Sequence, residues 1–119
     1  MTKKEDKNNN LVPITIKTHA DKKGGHPHAI LDEIDNKHVS VGFSTKKKKG
    51  KNATNYALEV NPLGKKEKAY MRRQGTVAPK SEYSAKSQKG SMSEKDYKRA
   101  REYGERAKQK YIAKNATKK

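Results

Sequence analysis

The chain has no cysteine and no tryptophan, and only one phenylalanine and four prolines in 119 residues. Without cysteine there is no disulfide framework, no thiolate nucleophile and no Cys-based zinc site. That leaves histidine, present four times, as the side chain that titrates near neutrality. No apolar run approaches the roughly 18 residues needed to span a bilayer. Residues 1–10 are polar rather than signal-like, so a cytoplasmic protein without membrane contact is expected. Strong core formers are scarce as well, since Leu, Ile, Val and Phe total 15 of 119 residues. Composition alone therefore points towards disorder. Position argues otherwise, because the apolar residues cluster between 11 and 77 and again between 97 and 112. The expectation is a single small domain over 11–114 with a thin core, flanked by tails at 1–10 and 115–119.

Acidic residues are few too. Against 13 Asp and Glu stand 30 Lys and Arg, a formal charge of +17. Self-repulsion at this charge is a standing cost that an anionic ligand relieves, and nucleic acid is the leading class of ligand. A membrane surface would call for a basic amphipathic helix with bulky apolar anchors, and the one helix expected here offers Tyr and Ala instead.

Residues 11–17 are β-rich, with Pro13 marking an edge or a strand start. A polar loop over 19–25 ends in Gly24-Gly25, and 28–34 reads as a second strand. Asp35-Asn36-Lys37 is the turn of a hairpin into 38–44, where Val39, Val41 and Phe43 alternate with small or polar residues. After a lysine loop, 54–60 and 68–73 are the fourth and fifth strands, separated by the Asn61-Pro62-Leu63-Gly64 turn. Residues 78–92, rich in Ser, Lys, Gly and Gln, read as a loop or linker. Ser93 with Asp96 forms a capping-box-like start to a helix over about 94–113. Tyr97, Ala100, Gly104, Ala107 and Tyr111 make its apolar stripe, and Lys98, Arg101, Glu105 and Lys108 the opposite face. The fold class expected is mainly β with a C-terminal helix, a small antiparallel barrel or curled sheet of about five strands.

Three constellations carry candidate chemistry. In His26-Pro27-His28, proline holds the backbone extended, so the two imidazoles project to one side of a strand and suit proton transfer. No third ligand has a fitting spacing, so neither metal nor cofactor is expected, and ordinary surface histidines are the plain alternative. Ser44-Thr45 ends the third strand just before the lysines, where a hydroxyl can meet a phosphate or simply form a turn. In Tyr70-Met71-Arg72-Arg73-Gln74 alternation sends one arginine out and one to the less polar side, where it can clamp a phosphate. Around these, Lys46, Lys47, Lys48, Lys49 and Lys51 with Tyr56 and Tyr70 combine charge with aromatic surface, the pairing that holds single-stranded nucleic acid.

Gly25-His26-Pro27-His28-Ala29-Ile30-Leu31, then Val39 to Thr45, a lysine loop, and Tyr70-Met71-Arg72-Arg73-Gln74-Gly75-Thr76-Val77 together resemble the MazF/PemK family of toxin endoribonucleases over roughly 14–77. The resemblance implies a Src-homology-3-like barrel, often dimeric and partnered by an acidic antitoxin, that cleaves single-stranded RNA without metal by 2′-hydroxyl attack on the neighbouring phosphate. His26 stands where the family has its catalytic arginine before proline, and Thr45 or Ser44 at its conserved hydroxyl. Histidine can move a proton but cannot present arginine's permanently charged fork. The chemistry would then use His26 or His28 as base and Arg72 or Arg73 as cation. The alternative is a non-catalytic nucleic-acid-binding barrel, a mobile-element or ribosome-associated accessory protein.

Overall fold

The computed structural model describes residues 11–21, 24–47 and 54–116. The expected tail over 1–10, the last three residues, and Lys48, Lys49 and Lys51 lie outside the described residues. Strands β1 (Leu11–Asp21), β2 (Gly24–Ile34), β3 (Lys37–Ser44), β4 (Tyr56–Ala57), β5 (Tyr70–Pro79) and β6 (Gln88–Ser93) precede helix α1 (Glu94–Ala116). They form one antiparallel sheet in the order β4-β5-β3-β2-β1-β6. The sheet is open, with β4 and β6 as its edges, so of barrel and curled sheet it is the unclosed form that is built. In place of a closing ladder, Ser91 donates its amide to the Pro62 carbonyl at 3.2 Å, tying the chain beyond β4 to β6.

Asp35 and Asn36 close the β2–β3 hairpin with φ of 50° and 63°, the left-handed pair that a two-residue hairpin turn demands and that Asx residues tolerate. Elsewhere the strands depart from their expected limits. Residues 19–21 and 24–25 belong to β1 and β2 rather than to a loop, because His19 pairs with His26, Ala20 with Gly25 and Asp21 with Gly24. A sixth strand occupies 88–93, inside the stretch read as a linker. Its composition is poor in strand formers, and the free edge of β1 supplies the hydrogen-bond partners. The fourth strand shrinks to two residues, and beyond it a single bond in the same register, from the Leu58 amide to the Ala69 carbonyl at 3.1 Å, ends the pairing with β5.

One sheet face carries the core: Ile14 and Ile16, Ala29, Val41 and Phe43, Met71, and Met92. Helix α1 lies across it, and Ala100, Tyr103 and Gly104 are its buried positions together with Asp96. The expected stripe is thus correct at Ala100 and Gly104, which are buried, and at Tyr97, which packs partly buried against the core, and it missed Tyr103. Two members of the supposed solvent face dock instead on β2: Lys108 donates to Asp32 at 2.7 Å and Arg101 reaches the Leu31 carbonyl at 3.4 Å. The Lys108 ammonium beside Asp32 holds that carboxyl below its ordinary range.

Ser93 caps the helix as expected, accepting the Asp96 amide at 3.1 Å. The Asp96 carboxylate accepts the Glu59 amide at 2.7 Å, which fastens the loop after β4 to the start of α1. Burial pushes this carboxyl up, against the Glu59 and Val60 amides and the Ser93 hydroxyl that hold it down.

Two bulges tune the sheet. Leu31 is the extra residue of β2, between the pairs Ile30–Ser40 and Asp32–Val39. In β5 the pairing skips from Met71 to Gly75 across the single residue Gly42, so Arg72, Arg73 and Gln74 bow out of the ladder. Just past the bulge, a Cβ on Gly75 would stand 2.6 Å from the Tyr103 carbonyl oxygen and 3.0 Å from Gly104 Cα. Glycine is what lets α1 seat on β5. Gly75→Ala is expected to cost about 1–3 kcal/mol by forcing the helix away, read as a lower urea midpoint with the far-ultraviolet spectrum retained.

Candidate functional site

Beside β2, β3 and the bulged end of β5, the loop after β4 folds back and leaves a cavity of about 400 Å³. That is the size of a small-ligand or nucleotide pocket. Asn61 shapes its outer wall: its Oδ1 accepts the Leu63 amide at 2.9 Å, its Nδ2 donates to the Glu67 carbonyl at 2.9 Å, and its carbonyl accepts the Gly64 amide at 2.9 Å. Gly64 takes φ 76°, as the end of such a turn requires. Pro62, buried, packs over Gly90, where a Cβ would meet the Pro62 carbonyl at 2.5 Å. On the other side, buried Asn55 donates its side-chain amide to the Lys46 carbonyl at 3.0 Å and its backbone amide to the Lys47 carbonyl at 2.8 Å. Those two bonds fix the start of the lysine loop against the cavity.

Into this space come His26 from β2, Ser44 and Thr45 from the end of β3, Lys46 from the loop and Arg72 from β5, joined by Lys65 and Glu67. Ser44 Oγ accepts the Lys46 amide at 3.0 Å, so this hydroxyl forms the turn. Thr45 is the exposed hydroxyl beside it. The floor is apolar, from Pro27, Phe43 and Ala69. An imidazole, a hydroxyl, a guanidinium and two ammonium groups, against the single carboxylate of Glu67, stand around an apolar floor and can accept a phosphodiester and offer a base beside it. Comparison with known protein families, curated proteins and solved structures finds no match for this chain. Its chemistry is therefore read from the side chains themselves.

The cavity does not receive every candidate. Arg73 turns to the helix side, donating to the Thr54 carbonyl at 2.7 Å and lying 3.5 Å from the Tyr103 hydroxyl. Tyr56 is held there too, its ring 5.8 Å from the Arg73 guanidinium carbon and 5.6 Å from that of Arg99. Tyr70 is half-buried in the ladder between Ser44 and Ala57. Lys47 is exposed at the rim of the loop. Sequence reasoning missed Asn55, Asn61, Lys65 and Glu67. Asn61 left a trace as the first residue of the turn, and Glu67 as the lone acid in a run of lysines.

His28 goes to a second cluster on the sheet face opposite Val39 and Val41. Its Nδ1 is 2.9 Å from Ser40 Oγ, which is 2.7 Å from the Tyr83 hydroxyl. The chain crosses this face between β5 and β6, through a short 3-10 turn at Lys80–Glu82 anchored by Lys80 on Glu33 at 2.8 Å. Tyr83 is thereby set among three imidazoles, with ring centroids 4.7 Å from His19, 4.9 Å from His38 and 6.1 Å from His28. His19 is itself 2.9 Å from Glu82. Gly42 makes room for His28, whose Nε2 would be 2.8 Å from any Cβ there. Ser40, His28 and Tyr83 are all buried, so this constellation holds the crossover down rather than meeting a polymer. Burial also pushes the Tyr83 phenol up.

Among the described residues no three His, Asp or Glu are placed to hold a metal ion. No described helix is long and apolar enough to cross a membrane.

His38 lies under the same crossover with its Nδ1 buried and without a hydrogen-bond partner among the described residues. Burial first, then Lys80 and Lys17, lower its pKa below the ordinary 6.5, opposed by Glu33. The unfolded chain therefore binds this proton more readily than the folded one. Stability is complete above pH 6.5 and falls as pH drops towards the folded-state value. Urea midpoints measured from pH 7.5 to 5 should decline for the wild type, and decline less for His38→Phe, which keeps the ring on Tyr83 but cannot titrate.

Proposed function

We propose that the protein is a cytoplasmic RNA-binding endoribonuclease that cleaves single-stranded RNA in the cavity beside β3, by attack of a ribose 2′-hydroxyl on its own phosphodiester. The observation that carries the reading is the convergence of His26, Thr45 and Arg72, remote in sequence, on one space of about 400 Å³ in a chain of charge +17. The likeness to MazF/PemK toxins supports it from the sequence side, and adds an acidic antitoxin and a second copy of the chain as partners.

On this reading Arg72 and Lys46 hold the scissile phosphate and Thr45 donates to one of its non-bridging oxygens. His26 takes the proton of the 2′-hydroxyl. The 2′-oxygen then bonds to phosphorus as the bond to the 5′-oxygen breaks, and that oxygen leaves with a proton from solvent at the open mouth. Arg72 neutralises the charge that grows on the phosphoryl oxygens, the task an arginine performs best where the geometry is fixed. The products are a 2′,3′-cyclic phosphate and a 5′-hydroxyl.

Full-length protein incubated with single-stranded RNA in EDTA should yield those two ends. His26→Ala should lose at least about 100-fold in rate, the scale of a removed acid–base group, while its RNA affinity stays within about threefold. Arg72→Ala should lose both rate and affinity. Salt-sensitive RNA binding by the wild type without strand cleavage, across several sequences, would sink the catalytic reading and leave the non-catalytic binding protein.

A further inference from the structure

Behind the β5 bulge a longer groove, about 1110 Å³ in volume, runs between the edge of β5 and helix α1. Arg72 lines the cavity and Arg73 the groove, so the β5 bulge is a wall common to both. On the helix side the groove is bordered by Arg106, Lys110 and Lys114. Their spacing of four residues places them on one side of the helix at steps of about 6 Å, comparable with the separation of neighbouring phosphates in an extended single strand. All three are exposed, and neither Arg106 nor Lys110 enters an ion pair among the described residues.

The carboxylates of the groove offset this row only in part: Glu102 is taken by Arg99 at 3.2 Å, while Glu105, hydrogen-bonded by the neutral Gln109 at 2.7 Å, keeps its charge against three cations. The floor, Val77 and Ala107, is half-buried and apolar, a surface on which bases can lie while the backbone follows the cations. From this arrangement we propose that the groove between β5 and α1 is the track for single-stranded nucleic acid flanking the cavity, with Arg106, Lys110 and Lys114 on successive phosphates and Arg73 at the junction. This rests on the nucleic-acid reading of the cavity, and it assigns to helix α1 the length-dependent share of affinity.

The test uses the full chain with 2′-O-methyl single strands of 4 and 12 nucleotides, which bind but cannot be cleaved by 2′-hydroxyl attack. In Arg106→Gln/Lys110→Gln/Lys114→Gln, affinity for the 12-mer should fall at least tenfold at moderate salt. The slope of log affinity against log salt should drop by about 2, because each phosphate that a cation neutralises on a single strand adds roughly 0.7 to it. Affinity for the 4-mer should stay within about twofold. A control that removes three charges elsewhere, Lys86→Gln/Lys89→Gln/Lys95→Gln, should lower the slope by less than half as much. Equal losses in both variants would mean diffuse charge and overturn the track, as would an unchanged 12-mer affinity in the first. A poly-glutamate peptide that binds the wild type but not the first variant, while the 12-mer binds both, would also overturn it and give the groove to an acidic polypeptide. A wild type that binds the 12-mer along this groove but cleaves no RNA upholds the track and defeats only the catalytic reading.

Discussion

The bond from the Glu59 amide to the Asp96 carboxylate ties together the parts of this molecule that a thin core could not align alone. Asp96 sits at the start of α1, where unpaired backbone amides favour an anion. Glu59 opens the loop that carries Asn61, Pro62, Lys65 and Glu67. Fastening one to the other fixes the cavity wall relative to the helix, and the Ser91 to Pro62 bond fixes the same wall to β6. The cavity is thus held by directional polar bonds more than by apolar bulk. That fits a chain with so few large aliphatic residues.

Polar fastening recurs throughout. Asn55 clamps the base of the lysine loop, Asn61 folds its own turn, and the Ser40–His28–Tyr83 relay seals the crossover on the far face. Each is a buried or half-buried polar group whose partners are satisfied locally, so each fixes one arrangement where apolar packing alone would tolerate several. Glycines set the closest approaches between these parts: Gly42 under His28, Gly75 under α1 and Gly90 under Pro62. Charge is distributed on the same plan. Cations are gathered at the cavity, along the lysine loop and along one side of α1, while the carboxylates Asp32, Glu33, Glu82 and Glu102 are each committed to a cation or an imidazole.

The histidines show how position divides one residue type. His26 and His28 are two residues apart on one strand, and alternation alone would put both on one side of it. In the fold His28 meets the buried hydroxyl of Ser40, and His26 borders the cavity with Arg72. Arg72 and Arg73 divide as well, one to the cavity and one to the helix side, as consecutive strand residues do.

Local signals in the sequence determined a good deal. Alternating Val39, Val41 and Phe43 specify β3, the Asp-Asn pair specifies the hairpin turn, and Ser93 specifies the start of α1. These are properties of neighbours along the chain. The sixth strand, the shortened fourth, the two bulges and the distant partners of Asp96, Asn55 and Tyr83 were decided by tertiary structure alone. Those partners are separated from them along the chain by many residues, and neither periodicity nor composition records a distant acceptor. The candidate residues His26, Thr45 and Arg72 were legible by type, since imidazole, hydroxyl and guanidinium are what phosphate chemistry uses. Their meeting in one cavity, apart from His28 and Arg73, depends on sheet register, which only the assembled sheet defines.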